Sequence, residues 1–194
     1  PVPAAGGGLV LVGPGSTLAD SSGLPLAARL AAVLELRLLP EAAVSAAVGG
    51  VGADLWANDP AILLAALAPL APGWLLPLPL DPGADLAMPG CWAEALAAWR
   101  QPTLLVVPAP IPGRSNGLAR AYNALLQTAG VPLLGLVQWG GAWDPIARRR
   151  DGLPWLGCLP ADEAGTAQEM GLALRQVSRR RWQTLGPAPQ RGQA

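Results

Sequence analysis

Glycine and hydroxyl residues follow the first apolar run of the chain. The segment Gly13-Pro-Gly-Ser-Thr places backbone amides ahead of a predicted helix, and such amides can hold an anion because their N–H groups point at it. Counted from Gly15, the spacing G-x-x-x-x-G-K-[ST] puts Asp20 at its second glycine and Ser21 at its lysine. This predicts either a weakened phosphate loop or a glycine-rich turn at a strand end, since a carboxylate there repels phosphate. The candidate contacts are Gly13, Gly15, Ser16, Thr17 and Ser22.

A second polar group, Arg114, Ser115 and Asn116, stands at the start of a predicted amphipathic helix. An arginine beside helix N–H groups is a suitable phosphate contact, because its guanidinium forms charge-assisted hydrogen bonds. The same group is also compatible with a helix cap, formed by Ser115 or Asn116, next to a solvated arginine. Both interpretations stay open on the sequence.

The composition restricts the chemistry at these residues. All 13 basic residues are arginine, and lysine and histidine do not occur. A histidine base near neutral pH and a lysine Schiff base are therefore excluded. Basic and acidic residues both number 13, so no net charge favours nucleic acid, and we interpret the arginines at 148–150 and 179–181 as solvated charge. Cys91 and Cys158 are predicted to be reduced and buried, because their neighbours are apolar.

Short apolar runs alternate with longer helical patterns along the chain. The predicted strands cover residues 8–13, 74–80, 103–107, 132–139 and 155–159. This alternation predicts an α/β fold with a mainly parallel sheet and helices on both faces, a P-loop-like or Rossmann-like three-layer single domain. The domain is placed at residues 1–185, and residues 186–194 are predicted to be a flexible tail.

Two of the connecting segments lead to more specific expectations. In the helix that begins near residue 115, the spacing predicts that Leu118, Tyr122 and Leu125 face the core and that Asn123 faces solvent. Residues 38–48 are ambiguous and are compatible with a strand and a turn. In open α/β sheets, ligands bind in the loops after the strands, and Trp139 and Trp143, which flank one such loop, are candidates for lining a pocket.

The uncharged run at 60–80 raises the question of a membrane span. Four prolines and Gly73 would interrupt such a helix repeatedly. We therefore expect a buried helix, a turn and a buried strand here, and a cytoplasmic protein that contacts neither membrane nor nucleic acid.

The segment RQPTLLVVPAPIPGRSNGLARAYNALLQTAGVPLLGLVQW, with GLPWLGCLPADE after it, resembles the second half of dethiobiotin synthetases and related P-loop proteins. Those families have a strand, a loop ending in Gly-x-x-Asn, a helix, a strand of the type GVPLLGLV, and a strand closing on Leu-Pro. The matching positions are Gly113, Asn116, Gly130, Pro132, Gly135, Leu159 and Pro160. The resemblance spans residues 101–163, roughly a third of the chain.

The resemblance implies a P-loop fold that binds ATP and Mg²⁺ and forms homodimers. It implies adenine recognition near the ends of the last two strands, here at Gln138, Pro160 and Asp162, although the family usually has asparagine where this chain has Gln138. The family's Glu-Gly motif is replaced by residues 80–83, in which Asp81 could stand in as a metal ligand. Both of the family's functional lysines are absent, and one of them normally neutralises phosphoryl charge.

Two functions are compatible with these observations, and whether the chain is an enzyme stays open. The first is a degenerate dethiobiotin synthetase-like P-loop domain, non-catalytic or weakly nucleotide-binding, that acts through a protein partner or as a dimer. The second is an active ATP- and Mg-dependent ligase in which arginine, with Arg114 the best candidate, replaces the phosphate-loop lysine. An unrelated Rossmann-like small-molecule binder is a third interpretation.

Overall fold

Six parallel strands form one sheet in the order β2-β3-β1-β4-β5-β6. The computed structural model describes residues 8–15, 17–18, 23–39, 41–47, 59–87, 89–111, 116–160, 175–176 and 180. The strands are β1 Leu9–Val12, β2 Arg37–Leu38, β3 Trp74–Pro77, β4 Thr103–Pro108, β5 Leu133–Trp139 and β6 Trp155–Leu159. Every pairing between neighbouring strands is parallel, as the apolar runs predicted.

Helices connect these strands. They are α1 Gly23–Leu34, α2 Glu41–Ala47, α3 Pro60–Leu67, α4 Trp92–Ala98, α5 Gly117–Ala129 and α6 Pro145–Arg150. Local sequence sets their ends: the Asp59 carboxylate accepts N–H bonds from Ala61 and Ile62 at 3.0 and 3.2 Å, at the start of α3. The helix α5 stops at Gly130, whose φ of 82° suits glycine.

The helices cover both faces of the sheet, as predicted. Alternate residues of β1 point to opposite faces, so Leu9 packs with one core and Val10 with the other. The helix α1 covers the first face, and α3, α4 and α5 cover the second. All four residues of β1 are 0% exposed, and each fully buried leucine or valine contributes about 1.5–3 kcal/mol relative to an exposed one.

Several predicted boundaries shift for physical reasons. The strand β3 ends at Pro77 rather than at residue 80, because Pro77 and Pro79 lack the N–H that would continue the ladder. The ambiguous segment 38–48 contains the end of the short strand β2 and the helix α2. The run 60–80 is the predicted helix, turn and strand. Among the described residues, no helix has both the length and the apolarity needed to cross a membrane.

The predicted inward face of α5 is confirmed for Tyr122 and Leu125, which pack against the core, and is wrong for Leu118 and Asn123. Ala119, Asn123 and Leu126 are buried, while Leu118 is 45% exposed. The apolar residues of α5 cover a wide arc of the helix surface, so their spacing predicts an apolar face but not which of its residues are most deeply buried. Asn123 is therefore a core residue, and its Oδ1 has no hydrogen-bond partner in the described part of the chain.

The prediction of two buried cysteines holds for one of them. Both thiols are free, and Cys158 on β6 is buried, but Cys91 is only half-buried. Cys91 precedes the first turn of α4, near the surface. Burial raises the pKa of the Cys158 thiol, and the nearby positive charge of Arg148 partly opposes this shift.

Candidate functional site

The strand order places a topological switch point between β1 and β4, because the chain continues from β1 to β2 and β3 on one side and from β4 to β5 and β6 on the other. Ligands of open α/β sheets bind at such a point, outside the carboxyl ends of the strands. The loop after β1 contains Gly13, Gly15 and Thr17, and the loop after β3 contains Asp81. The fold therefore brings together two segments that the sequence analysis identified separately.

Asp81 is hydrogen-bonded directly to the loop after β1. Its Oδ2 accepts the backbone N–H of Gly15 at 2.8 Å and the hydroxyl hydrogen of Tyr122 on α5. Its Oδ1 accepts the backbone N–H of Gly83 at 2.8 Å, which fixes the carboxylate from its own loop. A carboxylate of the protein, that of Asp81, is thus hydrogen-bonded to the Gly15 amide in the predicted phosphate loop.

The loop itself is a tight turn. The N–H of Thr17 donates to the carbonyl of Pro14 at 3.2 Å, and the Thr17 hydroxyl donates to the same carbonyl. Gly15 has a φ of 54°, so a side chain there would be strained. Its N–H also points at the Tyr122 hydroxyl oxygen, 3.3 Å away. Gly15, Asp81 and Tyr122 form a closed group of three, which we call the loop triad.

Burial and the hydrogen bond to Asp81 raise the pKa of Tyr122 above its ordinary 10.0, while the Gly15 N–H partly lowers it. The phenol is therefore neutral at neutral pH and donates to the carboxylate. Because the folded-state pKa is raised, this contribution to stability is fully present below the unfolded pKa and is lost as pH rises through the folded pKa.

The other predicted site residues lie elsewhere or are not described. Asn116 caps α5, since its Oδ1 accepts the N–H of Ala119 at 3.4 Å, and its buried Nδ2 has no partner among the described residues. Pro160 directly follows β6. Five candidates fall outside the described residues, namely Ser16, Ser22, Arg114, Ser115 and Asp162.

Gln138 is fully buried on β5, two strands away from β1, or about 10 Å by ordinary strand spacing. Its Nε2 donates to the carbonyls of Gly140 and Ala142 at 2.9 and 3.1 Å. Its Oε1 accepts from Arg148 Nε at 3.2 Å. The side chain holds the loop after β5 in place, and its predicted contact with adenine stays a prediction.

Tyr122 is the site residue that sequence analysis missed. It is the only tyrosine of the chain, and its position on the apolar stripe of α5 suggested a core role. The available signal was its phenol, because a buried tyrosine hydroxyl usually requires a hydrogen-bond partner. A carboxylate is one such partner, and Asp81 follows a strand at the same edge of the sheet.

The described residues contain no cluster of three or more His, Cys, Asp or Glu side chains that could hold a metal. Asp81 is thus a single carboxylate, already engaged by two N–H groups and a hydroxyl. This arrangement can hold a loop in place through hydrogen bonds. It does not present a preformed metal site in the part of the chain that is described.

Comparisons with known proteins concern the fold. No protein-family model matches the chain, and no curated protein sequence does. Among solved structures, the chain is similar to the cell division ATPase MinD of Pyrococcus furiosus, with a TM-score of 0.51 and 13% identity. The match covers 90% of this chain and 99% of that one. At that identity the match establishes the architecture alone: this chain has the P-loop-like α/β fold of that ATPase, built on a parallel sheet.

Proposed function

We propose that this chain is a degenerate dethiobiotin synthetase-like P-loop domain. In this proposal it is non-catalytic, binds nucleotide weakly at most, and acts through a protein partner or as a dimer. The observation that carries the proposal is the hydrogen bond from the Gly15 N–H to the Asp81 carboxylate, at 2.8 Å. An amide that a phosphate loop offers to its ligand is here bonded to a side chain of the protein.

The charge of Asp81 opposes phosphate at the same amide. Two unit negative charges about 4 Å apart repel each other by about 1 kcal/mol in water and by about 4 kcal/mol near a protein surface. Asp81 is only partly exposed, so the repulsion lies between these limits. A phosphate would have to displace the carboxylate or accept this repulsion, and either route weakens binding.

The residues around the loop do not fit ATP with Mg²⁺. P-loop enzymes use a lysine on the β- and γ-phosphates and a loop hydroxyl on the metal. This sequence contains no lysine, and the Thr17 hydroxyl donates to the carbonyl of Pro14. No phosphoryl transfer step is therefore assigned to this loop.

Exposed apolar residues near the same edge of the sheet support action through a partner. Leu24, Leu118 and Ile146 stand in the first turns of α1, α5 and α6, and Ile111 lies in the loop after β4. They are 45–63% exposed. A partner that bound at this edge would remove these apolar side chains from water.

One observation favours the alternative, an active ATP- and Mg-dependent ligase with arginine in place of lysine. Asp81 follows the strand beside β1 and reaches the loop after β1. P-loop NTPases use an aspartate to hold Mg²⁺. In that alternative Asp81 would turn from Gly15 toward the metal, and Arg114 would bind phosphate.

Calorimetric titration with ATP, with and without Mg²⁺, and with inorganic pyrophosphate tests the proposal. We expect dissociation constants above about 1 mM for both ligands, because the loop amide is already bonded. If ATP binds and pyrophosphate does not, ATP is bound through its adenine ring rather than through phosphate contacts with the loop. Submillimolar binding of both, weakened by about 1–3 kcal/mol in Arg114→Ala, would contradict the proposal and favour the ligase.

A further inference from the structure

A cleft beside β6 lies apart from the loop triad. Its volume is about 540 Å³, within the range of small-molecule sites. The residues that line it include Trp143, Pro145, Arg148, Arg149 and Trp155. They belong to α6, to the loop before it and to the start of β6, the last strand of the sheet.

Trp155 forms a fixed wall of this cleft. Its Nε1 donates to Asp151 Oδ1 at 2.8 Å, and the guanidinium carbon of Arg148 lies 5.0 Å from its ring centre. The ring of Trp143 meets it edge to face, with ring centres 6.1 Å apart and an interplanar angle of 78°. These contacts orient the wall before any ligand arrives, which lowers the entropy cost of binding.

Arg148 is a structural part of this wall rather than a solvated charge, so the prediction of a solvated arginine cluster is wrong for this residue. It is 8% exposed. Its Nη1 pairs with Asp151 at 2.9 Å, and its Nε donates to Gln138 at 3.2 Å. The carboxylate of Asp151 balances its charge.

Arg149 differs from Arg148 in each of these respects. It is exposed, its Nε donates to the carbonyl of Pro145 at 3.3 Å, and it forms no ion pair with a described residue. The charged residues lining the cleft in the described part of the chain are these two arginines. Asp144 stands nearby, but its pKa is lowered by the N–H groups of Ala147 and Ile146 that it caps and by the positive charges of Arg148 and Arg150, not by that of Arg149. The cleft therefore combines an aromatic wall with one unbalanced positive charge.

We propose that this cleft binds a small aromatic anion, with the ring against Trp143 and the acid group on Arg149. The partly exposed ring of Trp143 offers an apolar, polarisable surface that favours another ring. The guanidinium of Arg149 offers several N–H donors to a carboxylate or a phosphate. The Trp143 ring alone would not select an acid, and the Arg149 guanidinium alone would not select a ring. Because both line the same cleft, it favours a ligand that has an aromatic ring and an acid group.

The test titrates naphthoate into isotope-labelled protein and follows the NMR signals of the indole N–H groups. We expect saturable shifts at Trp143 and Trp155, and none at the buried Trp74 and Trp92. Neutral naphthol and non-aromatic cyclohexanecarboxylate each lack one feature, so both should bind about tenfold more weakly or worse. No saturable shift with millimolar naphthoate, or shifts spread over all the indoles, would overturn the proposal.

Two neighbouring arginines provide a matched pair of variants. Arg149→Ala should weaken naphthoate binding about tenfold, as expected for loss of a charge-assisted hydrogen bond. Arg150→Ala removes an equal charge one position away, from a residue that does not line the cleft, and should change binding less than twofold. Equal effects of the two variants would overturn the proposal. Trp143→Leu should abolish the preference for a ring, and because it could also disturb folding, Arg149→Ala remains the decisive variant.

Discussion

Asp81→Asn is expected to increase the affinity of this protein for inorganic pyrophosphate by about 10- to 100-fold. The substitution keeps the size of the side chain and removes its negative charge, so the Gly15 N–H no longer bonds to an anion. Hydrogen bonds to charged groups are worth about 1.5–3 kcal/mol, and every 1.4 kcal/mol is about tenfold in affinity. Calorimetric titration of the variant and the wild type measures the difference.

Asp85→Asn is the matched control, because it makes the same change of net charge in the same loop. Asp85 is exposed, and its backbone forms an antiparallel bridge with Cys91. It should change pyrophosphate affinity by less than about twofold, since exposed charges are screened by salt. Equal affinity of the Asp81→Asn and Asp85→Asn proteins would show that the carboxylate of Asp81 does not block the loop.

Gly8→Ala is expected to lower the free energy of unfolding by about 3 kcal/mol or more, at the upper end of overpacking effects. A Cβ at residue 8 would lie 1.8 Å from Cδ2 of Trp74. Trp74 is 1% exposed on β3, so its indole ring cannot move toward solvent without opening the core. On the other side, the Gly8 carbonyl accepts a hydrogen bond from Gln101 at 2.6 Å, so moving the backbone away would break this bond.

Gly117→Ala serves as the control for Gly8→Ala. Gly117 begins α5, and a Cβ there would have no neighbour within 4 Å. Alanine has a higher helix propensity than glycine, so this variant should be neutral or more stable by up to about 1 kcal/mol. Urea unfolding measures both variants, and a loss below about 1 kcal/mol for Gly8→Ala would contradict the described packing of Trp74 on Gly8.

The sequence was sufficient to predict five of the six strands, because buried parallel strands need unbroken apolar runs. The run at 103–107 became β4 and the run at 155–159 became β6 with shifts of at most one residue. The glycine and hydroxyl residues after the first strand also identified the loop after β1 as a candidate site, and the resemblance to dethiobiotin synthetases identified Asp81. The contact between Asp81 and the loop after β1 depends on β1 and β3 being neighbours in the sheet. It could not be predicted, because the sequence did not give the strand order.

The details that the sequence did not predict depend on side-chain direction. One residue along a helix rotates a side chain by about 100°, so spacing alone placed Leu118 in the core and Asn123 in solvent. It correctly placed Tyr122 against the core but did not indicate the hydrogen bond of its hydroxyl to Asp81. The arginines at 148–150 form one continuous run, and only tertiary contacts separate the buried Arg148 from the exposed Arg149. Composition could not separate them, because their residue types are identical.

The pKa of the Tyr122 phenol tests most directly whether the Asp81 carboxylate is bound to the loop after β1. Since this is the only tyrosine, its phenolate absorbance during an alkaline titration reports on the loop triad alone, with circular dichroism confirming that the protein stays folded. The wild-type midpoint should lie above the ordinary pKa of 10.0. It should fall in Asp81→Asn, which removes the charged acceptor, and stay unchanged in Asp85→Asn. A wild-type midpoint at or below 10.0, or equal midpoints in the wild type and Asp81→Asn, would contradict the closed loop.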